Sequence, residues 1–454
     1  MKNTYGKLGV KPFRTRGGVK APHRKNTASC ESIIMPSPKE VIIPMSQHIG
    51  APCKVCVSVG DRVYAGTKIG EAAGFVSAPI HSSVSGTVRK ISQIVLPSGS
   101  LCDAVVIESD GLDTIDPEIK APVVDSREKF LEAVKNSGLV GLGGAGFPAH
   151  VKLNVPKDKE VDVLLINCAE CEPYITTDHR EVLENSWNIL SGIYAIREIL
   201  GIDLAIIGIE DNKPDAIKVL REIADNEKYD PEDLVRVVPL KASYPQGAEK
   251  VLIKALTNRE VPEGKLPVDV GCVVMNVASV AFLGEYLKTG VPLIKKRLTV
   301  DGSAIKEPKN LVVPIGTPIK DVIEFAGGYK EDARKILMGG PMMGIALVDD
   351  SLPILKQNNA ILAFGEKEAK LHEATACIRC GRCISACPME LMPTKLTDAV
   401  NKGDFSQMQK YHINSCMECG CCAFSCPAKR HLVQTIRQGK ADLRAQLSKQ
   451  KEGK

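Results

Sequence analysis

The strongest constraint on this chain is a cysteine spacing that occurs twice near its C-terminus. Each copy reads Cys-x-x-Cys-x-x-Cys-x-x-x-Cys-Pro. In each copy, three cysteines are spaced three residues apart and a fourth stands directly before a proline. This spacing is typical of chains that bind two [4Fe–4S] clusters. The alternatives are structural zinc sites, which usually show paired CxxC units or histidines, and disulfides, which need no such regularity. We predict the cluster ligands to be Cys377, Cys380, Cys383, Cys387, Cys416, Cys419, Cys422 and Cys426.

The eight cysteines divide into two predicted ligand sets. In chains with this spacing the fourth cysteine of each run ligates the other cluster. Cys387 of the first run is therefore predicted to bind the second cluster, and Cys426 of the second run the first cluster. Cys421, which lies between two ligand positions, is predicted to bind neither cluster. The predicted sets are Cys377, Cys380, Cys383 and Cys426 for the first cluster, and Cys416, Cys419, Cys422 and Cys387 for the second.

Composition excludes several other classes of protein. The chain has 454 residues, 44% of them hydrophobic, which is enough for about three domains. The formal net charge is only +5 and aromatic residues make up 4%, so we predict no nucleic-acid partner. No apolar run approaches the roughly 18 residues needed to cross a bilayer, and the N-terminus lacks the apolar core of a secretory signal. We therefore expect a cytosolic chain with reduced cysteines.

Both ends of the chain are basic. Residues 1–29 form a basic N-terminal segment that could contact an anionic membrane or a membrane partner, or could be a solvated tail. Residues 441–454 are rich in lysine and are predicted to form a basic disordered tail. The cations of the N-terminal segment include Lys2, Lys7, Lys11, Arg14, Arg16 and Lys20.

Hydrophobic periodicity divides the remainder into four parts. Residues 30–115 alternate short apolar runs with glycine turns, which predicts a small β sandwich or barrel. Residues 120–290 alternate strand-like runs with amphipathic helix patterns, which predicts a parallel α/β sheet that binds ligands at the C-terminal ends of its strands. Residues 291–352 are again strand-rich, and residues 366–440 form the helical, cluster-bearing segment. The predicted fold class is multidomain, with α/β and β parts.

A glycine-rich loop precedes the first predicted parallel strand. It runs from Gly141 to Gly146 and is followed by Lys152. Glycines let main-chain N–H groups approach a ligand closely, and a lysine supplies a charge suited to phosphate. The loop matches neither the P-loop pattern nor the usual dinucleotide fingerprint, and a flexible turn is the alternative interpretation.

This loop resembles the flavin-binding loop of the NADH-oxidising subunit of respiratory complex I, which has the pattern GxGGAGFPxxxK. The stretch from Asn167 to Pro173 resembles the NADEGEP stretch of that family. Tyr244–Glu249 and Asn276–Ser279 resemble two further segments near the flavin. The resemblance implies FMN as cofactor and NAD(H) as substrate.

The resemblance also implies roles for individual residues. The glycine loop, Lys152 and Asn276 would hold the FMN phosphate and ribityl chain, and Asn167 would lie at the flavin ring. Glu170, Glu172 and Glu249 would lie on the NADH side. The implied contact residues are Gly141, Gly143, Gly144, Ala145, Gly146, Phe147, Lys152, Asn167, Glu170, Glu172, Gly247, Glu249 and Asn276.

The match to the complex I pattern is incomplete. Leu142 stands in place of an arginine, Ala169 in place of an aspartate and Cys171 in place of a glycine, so the resemblance supports the FMN contacts more than the nicotinamide contacts. Alternatives remain for single residues: Glu170 and Glu172 could form a solvated loop pair, Asn276 could be a strand cap, and His150 could be an incidental surface histidine.

The order of the parts resembles that of the RnfC family, which belongs to the Rnf electron-transport complexes. Val59–Gly70 and Ala78–Gly86 resemble biotinyl/lipoyl hammerhead domains. The resemblance implies a hammerhead-like β module at 30–115 and a complex-I-type FMN/NAD-binding α/β domain at 120–290. It further implies a small soluble-ligand-binding β-grasp-type module at 291–352 and a double [4Fe–4S] ferredoxin domain at 366–440.

The same resemblance implies a function. The chain would be a peripheral subunit on the cytoplasmic face of the cell membrane, in an ion-transporting ferredoxin:NAD oxidoreductase. It would pass electrons between NAD(H), FMN and the two clusters. Its partners would be the membrane-embedded and iron–sulfur subunits, and ferredoxin indirectly. The alternatives are a cobalamin reductase of propanediol-utilising microcompartments, which shares the domain order, and a non-catalytic iron–sulfur relay.

Overall fold

The computed structural model describes residues 12–226, 228, 230 and 234–452. Its first strand, β1 (Ser32–Ile34), follows a segment of residues 12–31 that we call the N-terminal strap. The predicted basic residues Lys2, Lys7 and Lys11 lie outside the described residues. Within the described part of the chain, no helix is both long enough and apolar enough to cross a membrane.

Two antiparallel sheets follow the strap and form what we call the first β module. The larger has the order β2-β8-β7-β4 and the smaller the order β3-β5-β6. Alternate residues such as Val41, Ile43, Val105 and Ile107 are fully buried between them. The strands are β2 (Glu40–Pro44), β3 (Lys54–Val55), β4 (Arg62–Val63), β5 (Lys68–Glu71), β6 (Ile80–His81), β7 (Gly86–Val95) and β8 (Leu101–Ser109).

The next unit, the parallel-sheet domain, alternates strands and helices. Its four strands have the order β11-β10-β9-β12 and every pair is parallel, as the sequence pattern predicted. A short 3-10 helix, Pro267–Val270, precedes the last strand. The elements are α1 (Arg127–Asn136), α2 (Ala149–Leu153), β9 (Val163–Cys168), α3 (Thr177–Leu200), β10 (Leu204–Glu210), α4 (Pro214–Ala224), β11 (Val235–Leu240), α5 (Glu249–Thr257), β12 (Cys272–Asn276) and α6 (Val277–Thr289).

Both faces of this sheet are covered, which is why its strands are apolar at successive positions. In β9, Leu164 and Ile166 face the core that includes α3, α4 and α6. The intervening Val163 and Leu165 face a second core with α5. Side chains alternate between the two faces of a strand, so one buried run supplies both cores.

The second β module contributes a six-stranded sheet. Its order is β1-β14-β13-β17-β15-β16, and β1 from the end of the strap pairs in parallel with β14 at one edge. Leu298, Val300 and Ile361 are among the fully buried residues of its core. The elements are β13 (Lys295–Asp301), β14 (Lys309–Pro314), α7 (Ile319–Phe325), β15 (Lys335–Met338), β16 (Ile345–Leu347) and β17 (Ala360–Phe364).

The last unit, the cysteine domain, is helical. Short helices α9 and α12 each begin within one of the two cysteine runs. A 3-10 helix, Ile413–Ser415, precedes the second run. The helices are α8 (Glu366–Ala369), α9 (Arg382–Ser385), α10 (Pro393–Asn401), α11 (Phe405–Lys410), α12 (Cys421–Phe424) and α13 (Leu432–Glu452).

The predicted disordered tail at 441–454 is wrong for residues 441–452. These residues continue α13 to Glu452, and only the last two residues lie outside the described chain. The lysines that suggested disorder accompany an apolar stripe: Leu443 is buried and Leu447 is partly buried against Leu396 and Met408. Apolar residues at i and i+4 on one face give the helix a packed side, which stabilises it despite its charge.

The backbone of the N-terminal strap is bonded to other units of the protein. The backbone of Val19 forms two hydrogen bonds with that of Tyr244, of 2.7 and 3.0 Å. Gly18 N donates to Ala386 O of the cysteine domain at 3.0 Å. Backbone groups of residues 18 and 19 therefore find partners in two folded units, whereas the side chains of Arg14, Arg16 and Lys20 are exposed, as the interpretation of a solvated basic segment expects.

One buried lysine of the strap fixes a loop of the parallel-sheet domain. Lys25 Nζ donates to the carbonyl oxygens of Glu170, Glu172 and Ile175 at 2.8, 2.9 and 2.5 Å. Burial lowers the pKa of Lys25 from its ordinary value. A buried ammonium is stable only with acceptors around it, so the loop after β9 and the strap require each other.

A second buried lysine joins three units. Lys356 lies between β16 and β17, and its Nζ donates to Pro79 O at 2.8 Å and to Gly138 O at 2.7 Å. Its own backbone N–H donates to Gln47 Oε1 at 3.0 Å. Burial lowers the pKa of Lys356 to about 7. One buried side chain therefore bonds carbonyl oxygens of the first β module and of the parallel-sheet domain.

We predict that Lys356 makes stability depend on pH. The unfolded chain keeps this proton up to the ordinary pKa of 10.5, whereas the folded chain releases it near 7. Between these values the unfolded state binds more protons, so the free energy of unfolding rises with pH by up to about 1.4 kcal/mol per unit from this group. The free energy of unfolding of the wild type, measured relative to that of Lys356→Met, should therefore increase between pH 7 and pH 10.

Thermal and urea unfolding of both proteins at several pH values measures this difference. The exposed Lys39→Met is the control and should show no pH-dependent difference from the wild type. A wild-type advantage over Lys356→Met that is constant across this range would contradict the prediction.

Candidate functional site

The C-terminal ends of the parallel strands collect most of the predicted nucleotide residues. Asn167 lies near the end of β9 and Asn276 ends β12, and the two are directly paired across the sheet. Glu170 and Glu172 lie in the loop that follows β9. Gly247 and Glu249 lie at the N-terminal end of α5, after β11. These positions, up to about a hundred residues apart in sequence, meet at the edge where parallel sheets bind ligands.

The glycine loop lies against this edge. It is closed by hydrogen bonds from Gly141 N to Phe147 O, 2.8 Å, and from Gly146 N to Gly141 O, 3.2 Å. A Cβ at Gly143 would lie 3.0 Å from Asn276 Nδ2, so the loop passes directly over that side chain. Residues 143–145 at the tip, including Gly144 and Ala145, are exposed. Main-chain N–H groups at such a tip are free to approach an anionic ligand, which fits a phosphate and its attached chain.

Asn276 has a structural role as well. Its side-chain oxygen accepts from Ala278 N and Ser279 N at 3.0 and 3.3 Å and so caps the N-terminus of helix α6, whereas the alternative from the sequence was a strand cap. Its Nδ2 donates to Asp178 Oδ2 at 2.8 Å. The cap fixes the side chain beneath Gly143 whether or not a ligand is bound.

Two charged residues beneath the loop were missed in the sequence. Lys296 Nζ donates to Leu142 O at 3.2 Å, and Asp178 accepts from Asn276. Burial raises the pKa of Asp178 and lowers the pKa of Lys296. Asp178 had only the weak signal of an acid in the first turn of α3, and Lys296 had none, because it comes from β13 of another unit.

Asn167 and Gly247 hold each other in place. Asn167 Nδ2 donates to Gly247 O at 2.8 Å, and Asn167 Oδ1 accepts from Ala169 N at 3.1 Å. A Cβ at Gly247 would lie 2.1 Å from Ala169 O, so any larger residue there would separate the two loops. Gly247 N also lies 3.3 Å from Cys171 Sγ, at the position where the resemblance has glycine.

Lys152 and Glu249 form an ion pair of 2.6 Å at the N-terminal end of α5. The resemblance had implied the phosphate side for the lysine and the NADH side for the glutamate. Both side chains are about one-third exposed, at 31% and 38%, so the pair can open towards a ligand without exposing a buried charge.

Glu170 and Glu172 are engaged by protein partners. The Glu170 carboxylate accepts from Asp178 N at 2.7 Å and Thr177 Oγ1 at 3.1 Å, and so caps α3. The Glu172 carboxylate accepts from Met342 N at 3.0 Å and Met343 N at 2.9 Å of the second β module. Burial raises the pKa of Glu172 to about 7. The alternative of a solvated pair is therefore wrong for both residues.

His150 is also buried, with 8% of its surface exposed, so the alternative of an incidental surface histidine is wrong. It lies in α2, directly after the glycine loop. Burial lowers its pKa, which favours a neutral ring.

The eight predicted cluster ligands line two separate cavities of the cysteine domain. The first has a volume of about 580 Å³ and contains the first three cysteines of one run with the fourth of the other. The second cavity is smaller and has the reciprocal set together with Cys421. The sets are Cys377, Cys380, Cys383 and Cys426 in the first cavity, and Cys387, Cys416, Cys419 and Cys422 in the second.

The two cavities differ in their exposure. Cys377 and Cys380 are exposed, whereas Cys419 and Cys422 are buried. Burial raises the pKa of the Cys416 thiol to about 11 and that of Cys422 to about 12. Such thiols become ligands only when a metal displaces their protons, and four cysteines that line one cavity fit the donor set of an iron–sulfur cluster.

Four domain families match the chain in the order of its folded units. They are the RnfC barrel sandwich hybrid domain at residues 13–112, the Nuo51 FMN-binding domain at 134–285, the SLBB domain at 297–346 and the 4Fe-4S dicluster domain at 369–443. The second of these contains the glycine loop and the strand ends described above. The fourth contains both cysteine cavities.

Curated relatives match almost the whole chain. The C subunit of the Na⁺-translocating ferredoxin:NAD⁺ oxidoreductase complex of Acetobacterium woodii is 44% identical, over 97% of this chain and 100% of the relative. The C subunit of the proton-translocating ferredoxin:NAD⁺ oxidoreductase complex of Clostridium ljungdahlii is 46% identical, over 95% of this chain and 94% of the relative.

A solved structure shares the fold at lower similarity. A chain of an NAD⁺-reducing [NiFe]-hydrogenase in the air-oxidized state aligns with a TM-score of 0.50 and 18% identity, over 72% of this chain and 67% of that one. The near full-length identity to the two curated subunits decides the family. The chain belongs to the RnfC family, the C subunits of ion-translocating oxidoreductase complexes.

Proposed function

We propose that the chain is the NAD(H)-linked electron-transfer subunit of an ion-translocating ferredoxin:NAD oxidoreductase complex. The observation that carries the proposal is that one chain of this family combines a glycine loop over Asn276 with two four-cysteine cavities. NAD(H) exchanges two electrons as hydride and an iron–sulfur cluster exchanges one, and bound FMN supplies the conversion between them. A chain with both kinds of site can join the two types of electron transfer.

The nucleotide contacts are assigned from the positions of the side chains. We assign the phosphate and ribityl chain of FMN to the N–H groups of residues 141–147, with Lys152 and Asn276. We assign the flavin ring to the neighbourhood of Asn167 and Gly247, and NAD(H) to the side of Glu249. These residues bind and orient; none of them is assigned a role as acid or base.

Glu170 and Glu172 stay on the NAD(H) side of the proposal, with an altered role. Their carboxylates already accept hydrogen bonds from α3 and from the second β module. They therefore contribute by fixing the shape of the loop after β9, which a nicotinamide would contact through its backbone. This role is consistent with Ala169 and Cys171, which lack the polar groups of the complex I pattern.

The cluster ligands are assigned as two crossed sets. Cys377, Cys380, Cys383 and Cys426 share one cavity and would hold the outer cluster. The reciprocal set shares the buried cavity and would hold the inner cluster, bound by Cys416, Cys419, Cys422 and Cys387.

The remaining assignments concern the modules and partners. We infer that the first β module is of the biotinyl/lipoyl hammerhead type and the second of the soluble-ligand-binding β-grasp type. We infer that the chain docks at the cytoplasmic face on the membrane-embedded and iron–sulfur subunits, and receives electrons from ferredoxin through them. Such a peripheral subunit supplies redox chemistry, while ion transport belongs to its partners.

Anaerobically purified protein tests the central proposal. We expect about one FMN and about eight iron atoms per chain, and NADH should bleach the flavin and cluster absorbance. Rapid-mixing absorbance spectroscopy with NADH measures this. Protein that contains FMN and iron but is not reduced by NADH would contradict the proposal.

The glycine loop has its own test. Gly143→Ala places a methyl group 3.0 Å from Asn276 Nδ2, so the loop or the asparagine must shift, and we expect FMN content to fall several-fold. The control is Gly74→Ala, whose added methyl group would meet only Ala51 Cβ at 3.5 Å. Unchanged FMN affinity in both variants, measured by fluorescence titration, would remove the loop from the site.

Iron content tests the crossed ligand sets. Cys426→Ala should lose about four of about eight iron atoms, because it removes one ligand of the outer cluster. Cys421→Ala, a neighbouring cysteine outside both sets, should keep all of them. Electron paramagnetic resonance of the reduced Cys426→Ala protein should match that of Cys380→Ala; a match to Cys416→Ala instead would show that the sets are not crossed.

A further inference from the structure

One short turn contacts both the nucleotide site and the cysteine domain. Residues 244–247 join β11 to α5 at the C-terminal edge of the parallel sheet. Tyr244, at the start of the turn, is 2% exposed and packs in an apolar cluster with Cys419 and Cys421. Gly247, at its end, belongs to the proposed flavin site. The two ends of the turn therefore reach two different redox sites.

The contact on the cysteine side is direct. Tyr244 Oη donates to the backbone carbonyl of Cys419 at 2.7 Å, and Tyr244 O lies 3.9 Å from Cys421 Sγ. Cys419 belongs to the buried ligand set. The described residues of the exposed set have no corresponding contact with this turn among the hydrogen bonds of the structure.

The contact on the nucleotide side is equally direct. Asn167 Nδ2 donates to Gly247 O at 2.8 Å, and Gly247 N contacts Cys171 Sγ at 3.3 Å. Two residues later, Glu249 pairs with Lys152. A few bonds of one turn thus separate the cluster-binding loop from the residues assigned to the flavin ring.

Elements from two other units close this junction. Met342 of the second β module donates its N–H to Glu172, and Gly420 of the cysteine domain approaches the carbonyl oxygen of Met342. Val19 of the strap pairs with Tyr244 along the backbone. The junction therefore has contacts from the strap and from the second β module as well as from the cysteine domain.

The outer ligand set has the opposite character. Cys377 and Cys380 are exposed, and Ile378 between them is 67% exposed. A cluster there would be accessible to another protein, whereas a cluster in the buried cavity would be accessible to the flavin site. The rate of electron transfer falls steeply with distance. This difference in accessibility therefore sets the order in which electrons pass through the two clusters.

We propose that electrons cross between the flavin and the iron–sulfur domain at residues 244–247. The cluster of Cys416, Cys419, Cys422 and Cys387 exchanges electrons with the flavin, and the cluster of Cys377, Cys380, Cys383 and Cys426 exchanges them with the partner protein. Tyr244 is a positioning residue that holds the inner cluster loop against the flavin site. This inference rests on the proposed function.

Protons and electrons balance at each step of this transfer. NADH and one proton reduce FMN by two electrons and leave NAD⁺. Reoxidation of the flavin releases two protons and two electrons, one after the other. Each electron would reduce the inner cluster from the 2+ to the 1+ state. The inner cluster would return to 2+ by reducing the outer one, and the outer cluster would return to 2+ by reducing the oxidised partner protein. In the opposite direction the same steps run in reverse.

Three variants test the order. Cys380→Ala lacks the outer cluster, and NADH should reduce its remaining cluster at the wild-type rate. Cys419→Ala lacks the inner cluster, and NADH should reduce its remaining cluster at least about tenfold more slowly, although dithionite reduces it fully. Tyr244→Phe removes the hydroxyl group that donates to Cys419 O and that also bonds the Glu172 carboxylate, and it should slow cluster reduction while FMN content is kept. The matched control is Tyr286→Phe, a buried tyrosine in α6.

A second readout is independent of NADH. In potentiometric titrations followed by electron paramagnetic resonance, Tyr244→Phe should displace the midpoint potential of one cluster and leave the other unchanged, because hydrogen bonds around the ligands tune cluster potentials. The displaced signal should be the one that is missing from Cys419→Ala.

The outcomes separate the two levels of inference. The proposed order would be overturned if NADH rapidly reduced the remaining cluster in Cys419→Ala. It would also be overturned if NADH no longer reduced the remaining cluster in Cys380→Ala. If the cysteine variants lose all iron, Tyr244→Phe decides, and unchanged rates and potentials of both clusters overturn the proposal. Wild-type protein that NADH does not reduce would contradict the proposed function. A displaced cluster potential in Tyr244→Phe would still support the contact between Tyr244 and the inner cluster loop.

Discussion

The architecture depends on the ammonium group of Lys25, buried among three carbonyl oxygens of the loop that follows β9. The loop leaves a buried strand, so its carbonyl groups need donors that the sheet cannot supply, and the ammonium needs acceptors that solvent cannot supply. Each satisfies the other. The same strap reaches the cysteine domain through Gly18 and the turn at Tyr244 through Val19, so one segment aligns the proposed flavin site with the inner cluster cavity.

Polar contacts of this kind also join other pairs of units. Lys356 bonds carbonyls of two other units, Lys296 holds the glycine loop from a neighbouring sheet, and Glu172 receives two N–H groups from the second β module. Buried charges tolerate little displacement, because a partner that moves leaves an unpaired group. Residues of the proposed nucleotide site, such as Glu172, therefore also link the units.

Much of this could be predicted from the sequence. The parallel sheet followed from the alternation of apolar strands and amphipathic helices, and the cavities contain the cysteine sets that the spacing predicted. The helical tail was missed because its lysines outweighed Leu443 and Leu447, whose packing partners come from α10 and α11. Asp178 and Lys296 were missed because each depends on a contact with a distant part of the chain.

The sequence by itself determined the family, the glycine loop and the two cysteine runs, because each depends on a spacing along a continuous backbone. Only the tertiary structure decided which cysteine set neighbours the proposed flavin site. That order rests on the contact between Tyr244 and Cys419, residues 175 positions apart. No local spacing encodes such a contact, since it forms only when the strap, the sheet and the cysteine domain pack together.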